Sequence, residues 1–229
     1  MNPCKPLVLF ALLFVAPAFA DTIAIIGTGD VAKALGPEFA AQGHTIIYGS
    51  RNPGGDKAQD LVKISGKDAS AVSPQEAVID ADIVVLAVPG LLVGEIVKGL
   101  GDLSDKIIID PTNPLERRIL TFHHAVETSN AQIIQAIAPD AYVVKAFNTL
   151  NWRTMIDPDA TGGPISIPLA GDSRRAKKVV AKLVEGMGLE AIDVGGIENA
   201  HWVEGMLMLW INNRFSLRES FDFHLRKVE

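Results

Sequence analysis

The sequence predicts a doubly wound α/β fold: a parallel sheet with helices on both faces, completed by a small C-terminal α/β lobe packed on it. Short, continuous apolar and β-branched runs recur along the chain and alternate with segments of helical periodicity, the pattern of strands buried on both faces. The first of these runs passes directly into a glycine turn and then a helix. No repeat, linker or low-complexity stretch interrupts the alternation, so the C-terminal part reads as packed on the first part and not tethered to it.

Residues 1–20 stand apart from that pattern. Lys5 precedes an apolar run from Leu7 to Ala16, and Pro17 and the small-residue ending Ala18-Phe19-Ala20 follow, as in a cleavable export signal. The run falls short of the ~20 apolar residues that a spanning helix needs. The expectation is therefore export to the periplasm or the medium with cleavage after Ala20, and a cytoplasmic protein if cleavage does not occur. Cys4 is the chain's single cysteine, and it would leave with the signal. What remains could form no disulfide, iron–sulfur ligand set or thiolate nucleophile. A net charge of −6 with no Lys/Arg block argues against a nucleic-acid surface, and 48% hydrophobic residues over 229 positions are enough for a globular core.

Thr22–Ile26 is predicted as the first strand. It runs into Gly27-Thr28-Gly29-Asp30-Val31-Ala32, and Val31, Leu35 and Phe39 then recur at helical spacing. Gly27 permits the tight turn, Gly29 lets backbone approach a pyrophosphate, and the small Ala32 lets helix pack on strand, while the helix start offers free N–H groups. Gly36-Pro37 lies inside this helix and predicts a kink, because an interior proline removes a hydrogen bond. Gly43-His44 ends the helix before a second strand, Thr45–Tyr48.

After that strand come Gly49-Ser50-Arg51-Asn52, where NAD-binding folds place an acidic residue for the ribose 2′-hydroxyl. Nothing here repels a 2′-phosphate. Arg51 can pair with one through its planar fork, and Ser50 and Asn52 can add donors, so NADP is favoured over NAD. Residues 21–150 thus read as an NADP-binding domain of Rossmann type.

The alternation continues through a strand over Asp82–Pro89, a helix over Leu91–Gly99, a strand over Lys106–Asp110, a helix over Asn130–Ala138 and a strand over Ala141–Phe147. Residues 151–229 form the smaller lobe, with strands at Ile165–Gly171 and Leu189–Val194, a basic-faced helix from Ser173 to Gly186 and a long helix over Glu198–Arg214.

Ile26-Gly27-Thr28-Gly29-Asp30-Val31-Ala32, Tyr48-Gly49-Ser50-Arg51-Asn52-Pro53, Ala87-Val88-Pro89, Asp110-Pro111-Thr112-Asn113-Pro114, Val144-Lys145-Ala146-Phe147-Asn148-Thr149 and Ala170-Gly171-Asp172 together resemble the deazaflavin-dependent NADP oxidoreductases. They also resemble the related reductase domain of the six-transmembrane metalloreductases. The resemblance implies that the glycine turn and Ser50-Arg51 hold NADPH and that Ala87-Val88-Pro89 lies near the nicotinamide. It implies further that Asn113, Phe147 and Asn148 line the cleft where an isoalloxazine-like acceptor stacks. The family shows Glu after Ser-x-Ala, where this chain carries Gln132.

The implied activity is hydride transfer between NADP(H) and a flavin or deazaflavin, with no catalytic side chain assigned. Hydride transfer between stacked rings is mostly positioning, and the sequence has no G-x-S-x-G or H-E-x-x-H motif. Two alternatives stay open: reduction of a small imine or hydroxy acid, and a non-catalytic NADP-binding redox module. A small-molecule acceptor is expected, with no nucleic acid and no membrane span after cleavage, and a homodimer is one option.

The remaining polar residues read plainly. His123-His124, adjacent and pointing apart, suit a surface turn better than a metal. His201 and Glu204 read as polar residues at a helix start. Lys145 divides about evenly between a proton donor or cofactor contact and a lysine snorkelling from a strand end, with the resemblance tilting it toward the cleft. Trp202, Met206, Leu209 and Trp210 at helical spacing read as core, and Arg174, Arg175, Lys177 and Lys178 as a solvated helix face.

Overall fold

The computed structural model describes residues 20–66, 68–119, 121–162, 164–217, 221 and 224–228. Apart from Ala20, the expected export signal lies outside the described residues. The first half of the chain runs β1 (Thr22–Ile26), α1 (Asp30–Ala41), β2 (Thr45–Gly49), α2 (Asp56–Ser65), β3 (Ser70–Val72), α3 (Pro74–Ile79), β4 (Ile83–Leu86), α4 (Val93–Lys98) and β5 (Ile107–Asp110). The second half runs β6 (Leu115–Arg117), β7 (Phe122–His124), α5 (Asn130–Ile137), β8 (Tyr142–Lys145), α6 (Trp152–Ile156), β9 (Ser166–Leu169), α7 (Arg174–Gly186), β10 (Glu190–Asp193) and α8 (Ala200–Asn212).

Six strands form one all-parallel sheet in the order β3-β2-β1-β4-β5-β8, the doubly wound arrangement that the alternation predicts. Side chains alternate across a strand, so each apolar run feeds two layers. Ile23 and Ile25 of β1 pack with Leu35 and Phe39 of α1, while Ala24 and Ile26 face Val93 and Val97 of α4. Parallel β9 and β10 join the edge through an antiparallel bridge from Lys145 to Ala170. Val180, Leu183 and Val184 of α7 belong to the same core as Phe39 and Ile25, so hydrophobic packing is continuous across residue 150.

Helix α1 runs unbroken through Pro37. At the neighbouring Gly36 a Cβ would lie 1.8 Å from the Tyr48 hydroxyl oxygen, which itself is 2.7 Å from Ser65 Oγ. A buried tyrosine needs such a partner, and the absent side chain makes room for its ring.

Several short elements escape the sequence patterns. α2, β3 and α3 lie between residues 56 and 79, in polar sequence whose amphipathic periods are brief. α3 is fixed at its start by a capping box in which Ser73 Oγ accepts from Glu76 N and the Glu76 carboxylate accepts from Ser73 N. The antiparallel hairpin of β6 and β7 also goes unpredicted. His123 and His124 do point apart, but from a strand and not from a turn, with His123 exposed and His124 half-buried.

The tryptophan stripe is corrected. α8 buries Ala200, Val203, Glu204 and Leu207, leaving Trp202 70% and Leu209 63% exposed. A charged residue sets the inward face of this helix, which an apolar count cannot reveal. In α7, Arg174, Arg175 and Lys178 are solvated, but Lys177 turns inward, with Nζ 2.5 Å from Asp193 Oδ1 and 2.8 Å from the Gly195 carbonyl. No helix of the described residues is long and apolar enough to cross a membrane.

Candidate active site

A cleft of about 520 Å³ opens beyond the C-terminal ends of β1, β2 and β4, where an open parallel sheet offers its crevice. Gly27, Thr28, Gly29, Ser50, Arg51, Ala87, Val88 and Pro89 all line it. Gly27 has φ +113°, and a Cβ there would sit 2.1 Å from the Ala87 carbonyl oxygen, so only glycine lets the turn after β1 lie against the end of β4. Gly29 has ordinary extended φ and ψ of −91° and −168°, and no atom lies within 4 Å of where its Cβ would be. Its smallness is not required by the fold. The start of α1 has no side-chain cap, which leaves its first N–H groups facing outward. Asp30 is exposed in that first turn, Val31 is half-buried, and Ala32 is fully buried beneath the helix.

Ser50 is tied by its own N–H to the Val72 carbonyl at 2.9 Å, and its Oγ accepts from Asn52 N at 3.1 Å. Arg51 is exposed, and it carries no ion pair among the described residues. Asn52 does not line the cleft, because its amide folds back over Gly55. The cleft's one carboxylate, Glu95 on α4, is exposed and paired with Lys98 at 2.8 Å.

Asn113, Phe147 and Asn148 form a separate group outside this cleft. Asn113 Nδ2 donates to the Asn148 carbonyl and Asn148 Nδ2 to Asn113 Oδ1, each at 3.0 Å. Asn148 Oδ1 and Thr149 Oγ1 are buried without a hydrogen-bond partner among the described residues. Phe147 is corrected as a cleft-lining residue: with φ +62° its side chain turns into the core, only 1% exposed and edge-on to Phe39 at 6.1 Å. It offers no free ring face.

Behind both groups lies a buried ionic cluster. Lys145 at the end of β8 is 0% exposed, with Nζ 2.6 Å from Asp110 Oδ2, from Glu204 Oε1 and from the Thr112 carbonyl oxygen. An ammonium has three N–H donors, and all three are used. Lys145 therefore neither snorkels nor reaches a cofactor, and neither sequence alternative holds. Asp110 Oδ1 accepts from Thr112 N at 2.8 Å and from Thr112 Oγ1 at 2.7 Å.

Glu204, read from sequence as a helix-start polar residue, is 0% exposed. Its Oε1 also accepts from Asn130 N at 2.9 Å, and Oε2 lies 2.8 Å from His124 Nε2. Burial raises its pKa above the ordinary carboxylate value; the Lys145 ammonium opposes that shift and the Asp110 carboxylate reinforces it. His201 stays outside, with Nδ1 on the Thr128 carbonyl and its ring edge-on to His124 at 4.9 Å. Gln132 serves as a helix-start residue, its N–H received by the Ser129 Oγ that caps α5.

Asp110 and Lys145 are in register at the ends of neighbouring strands, a pairing of opposite charges that the sequence carries once β5 and β8 are adjacent. Replacing Lys145 with Met should cost about 3–5 kcal/mol in denaturant unfolding, since it strands two buried carboxylates. A loss below about 1 kcal/mol, the worth of an exposed pair, would show that the cluster is hydrated and not sealed.

Residues 22–114 match the family model described as NADP oxidoreductase coenzyme F420-dependent. The chain is 31% identical over 206 residues to the F420-dependent NADP reductase of Methanothermobacter thermautotrophicus, covering 83% of this chain and 88% of that protein. It is 28% identical over 191 residues to the metalloreductase STEAP3 of Rattus norvegicus, covering 83% of this chain but only 37% of the rat protein. A crystal structure from Arthrobacter sp. FB24, assigned as an F420-dependent NADP reductase, superposes with a TM-score of 0.81 at 28% identity, over 91% of this chain and all of that one. With its parallel sheet, glycine turn and Ser50-Arg51 strand end, the chain belongs to the family of coenzyme F420-dependent NADP oxidoreductases.

Proposed function

We propose that this protein transfers a hydride between NADP(H) and a flavin or deazaflavin ring, with the NADP(H) held in the cleft beyond β1, β2 and β4. The observation that carries this reading is the cleft rim, where Ser50 and Arg51, without an ion pair among the described residues, share one opening with the uncapped start of α1. The pyrophosphate would meet the free N–H groups after Gly29, and the 2′-phosphate would meet the Arg51 fork. Bound NADPH would supply the hydride from its nicotinamide C4.

The other residues orient and do not react. Gly27 brings the turn against Ala87, which sets how far Val88 and Pro89 project over the cleft. Asn113 and Asn148 hold each other, and the free Asn148 Oδ1 and Thr149 Oγ1 are acceptor atoms suited to the ring N–H of an isoalloxazine-like acceptor. Positioning of this kind is most of what a ring-to-ring hydride transfer requires.

Titration calorimetry tests the cofactor assignment. Arg51→Ala should weaken NADPH binding by about 1.5–3 kcal/mol, the range for a charged hydrogen bond, and leave NADH nearly unchanged. Equal losses for both nucleotides would sink the 2′-phosphate reading. Gly29→Ala should fold with wild-type stability, because its Cβ meets nothing, yet lose NADPH affinity through the blocked pyrophosphate approach. Intact binding in that variant would remove the phosphates from the start of α1.

Stopped-flow oxidation of NADPH deuterated on one face of C4 tests the reaction. A primary isotope effect is expected with a deazaflavin or flavin acceptor. Tight NADPH binding with no turnover on any such ring would leave a binding module in place of an enzyme.

A further inference from the structure

His124 poses a proton-counting problem. Its Nδ1 lies 2.7 Å from the Val126 carbonyl oxygen, which only accepts, and its Nε2 lies 2.8 Å from Glu204 Oε2. Nδ1 must therefore carry a hydrogen, and a neutral imidazole has only one. Nε2 can meet Glu204 as an acceptor, with the carboxyl protonated, or as a donor, with the ring doubly protonated. Either arrangement contains one proton more than a neutral ring beside a carboxylate.

The surroundings ask for the same proton. Asp110 and Lys145 cancel, so an ionised Glu204 beside a neutral His124 would leave a net negative charge in a site with 0% exposure at all three of Asp110, Lys145 and Glu204. Asn130, from α5, faces the cluster as a neutral donor. His201 touches only the outer edge of His124, Glu198 folds back over Gly196, and Arg214 stacks on Trp210. No other titratable group is bonded to the cluster among the described residues.

We propose that His124 and Glu204 hold one proton between them, and that this protonated pair is the positioning element tying the β6–β7 hairpin and α8 to the wall of the cleft. The path is short. Glu204 Oε1 accepts from Asn130 N, and Asn130 Nδ2 donates to the Gly90 carbonyl at 3.0 Å and to Thr112 Oγ1 at 2.7 Å. Gly90 directly follows Pro89 of the cleft wall, and the Asn113 carbonyl oxygen fills the place of its missing Cβ at 1.9 Å. Removing the proton breaks the His124 bond and leaves a charge that pulls on Asn130, so the wall loosens. That consequence for binding rests on the NADP reading of the cleft, whereas the proton does not.

Two measurements on the full chain separate these. Imidazole nitrogen spectra of the protein at neutral pH without cofactor, with His124 assigned by its loss in His124→Gln, should show a protonated Nδ1 and a second proton in the hydrogen bond between Nε2 and Glu204 Oε2. A neutral Nε2–H ring beside an ionised Glu204 would overturn the inference. NADPH affinity should fall several-fold as rising pH removes the proton from the pair. In Glu204→Gln the profile should be flat apart from the ligand's own phosphate, since an amide donates to Nε2 with no proton to release.

Stability follows the same sign. The native state keeps a proton that the unfolded chain releases with its histidine, so wild-type stability declines as pH rises from the ordinary histidine range through the pair's own titration. The same pH profile of affinity in both proteins would overturn the positioning role. A proton seen in the spectra with no NADPH binding at any pH would sustain the shared proton and sink the function proposed for the cleft.

Discussion

Lys145 Nζ sits between Asp110, Glu204 and the Thr112 carbonyl with every donor used, and three parts of the chain are placed by that one group. It joins the ends of β5 and β8, which the sheet already sets side by side, to α8. The direction of α8 follows from the need to bring Glu204 to the ammonium. The outward face of the helix, with Trp202 and Leu209, follows in turn. Buried ion pairs add little net stability against an apolar replacement, but breaking one is costly. Such a cluster selects one docking of α8 more than it strengthens the fold.

The cleft depends on a different constraint, the contact of two backbones. The turn after β1 approaches the end of β4 so closely that Gly27 has no alternative, and this brings Ser50, Arg51 and Pro89 around one opening. Gly29 lies in the same turn and has open space around it. Gly27 is required by the fold and Gly29 is not, a distinction that sequence spacing alone cannot make.

The inner strands of the sheet were legible because they are buried on both sides and therefore read as unbroken apolar runs, as at Ile23–Ile26 and Ile83–Leu86, whereas the short edge strand β3 was not. The cleft residues were legible because strand, turn and helix follow one another without a gap. What failed has a common cause. Phe147 reads as a cleft aromatic until its positive φ turns it inward, and Glu204 reads as solvated until Lys145 and His124 meet it across more than fifty residues of chain. In both places a tertiary contact overrules the local pattern. Asn113 and Asn148 are bonded to each other beyond the cleft, and the resemblance could not show that Asn52 folds away from it.

The ionisable groups that the fold buries most deeply are thus removed from any direct part in proton transfer to a substrate. Lys145 has no free donor, Asp110 is met by Thr112 and Lys145, and Glu204 faces Asn130, Lys145 and His124. A hydride passing between two rings needs them stacked and held more than it needs an acid at hand. Burying these charges costs desolvation, and the return is geometric: the Pro89–Gly90 turn and the Asn113–Asn148 pair are fixed through Asn130 and Thr112. The polar core and the wall of the cleft are thus one connected structure, in which buried charge fixes the orientation of backbone and amide groups.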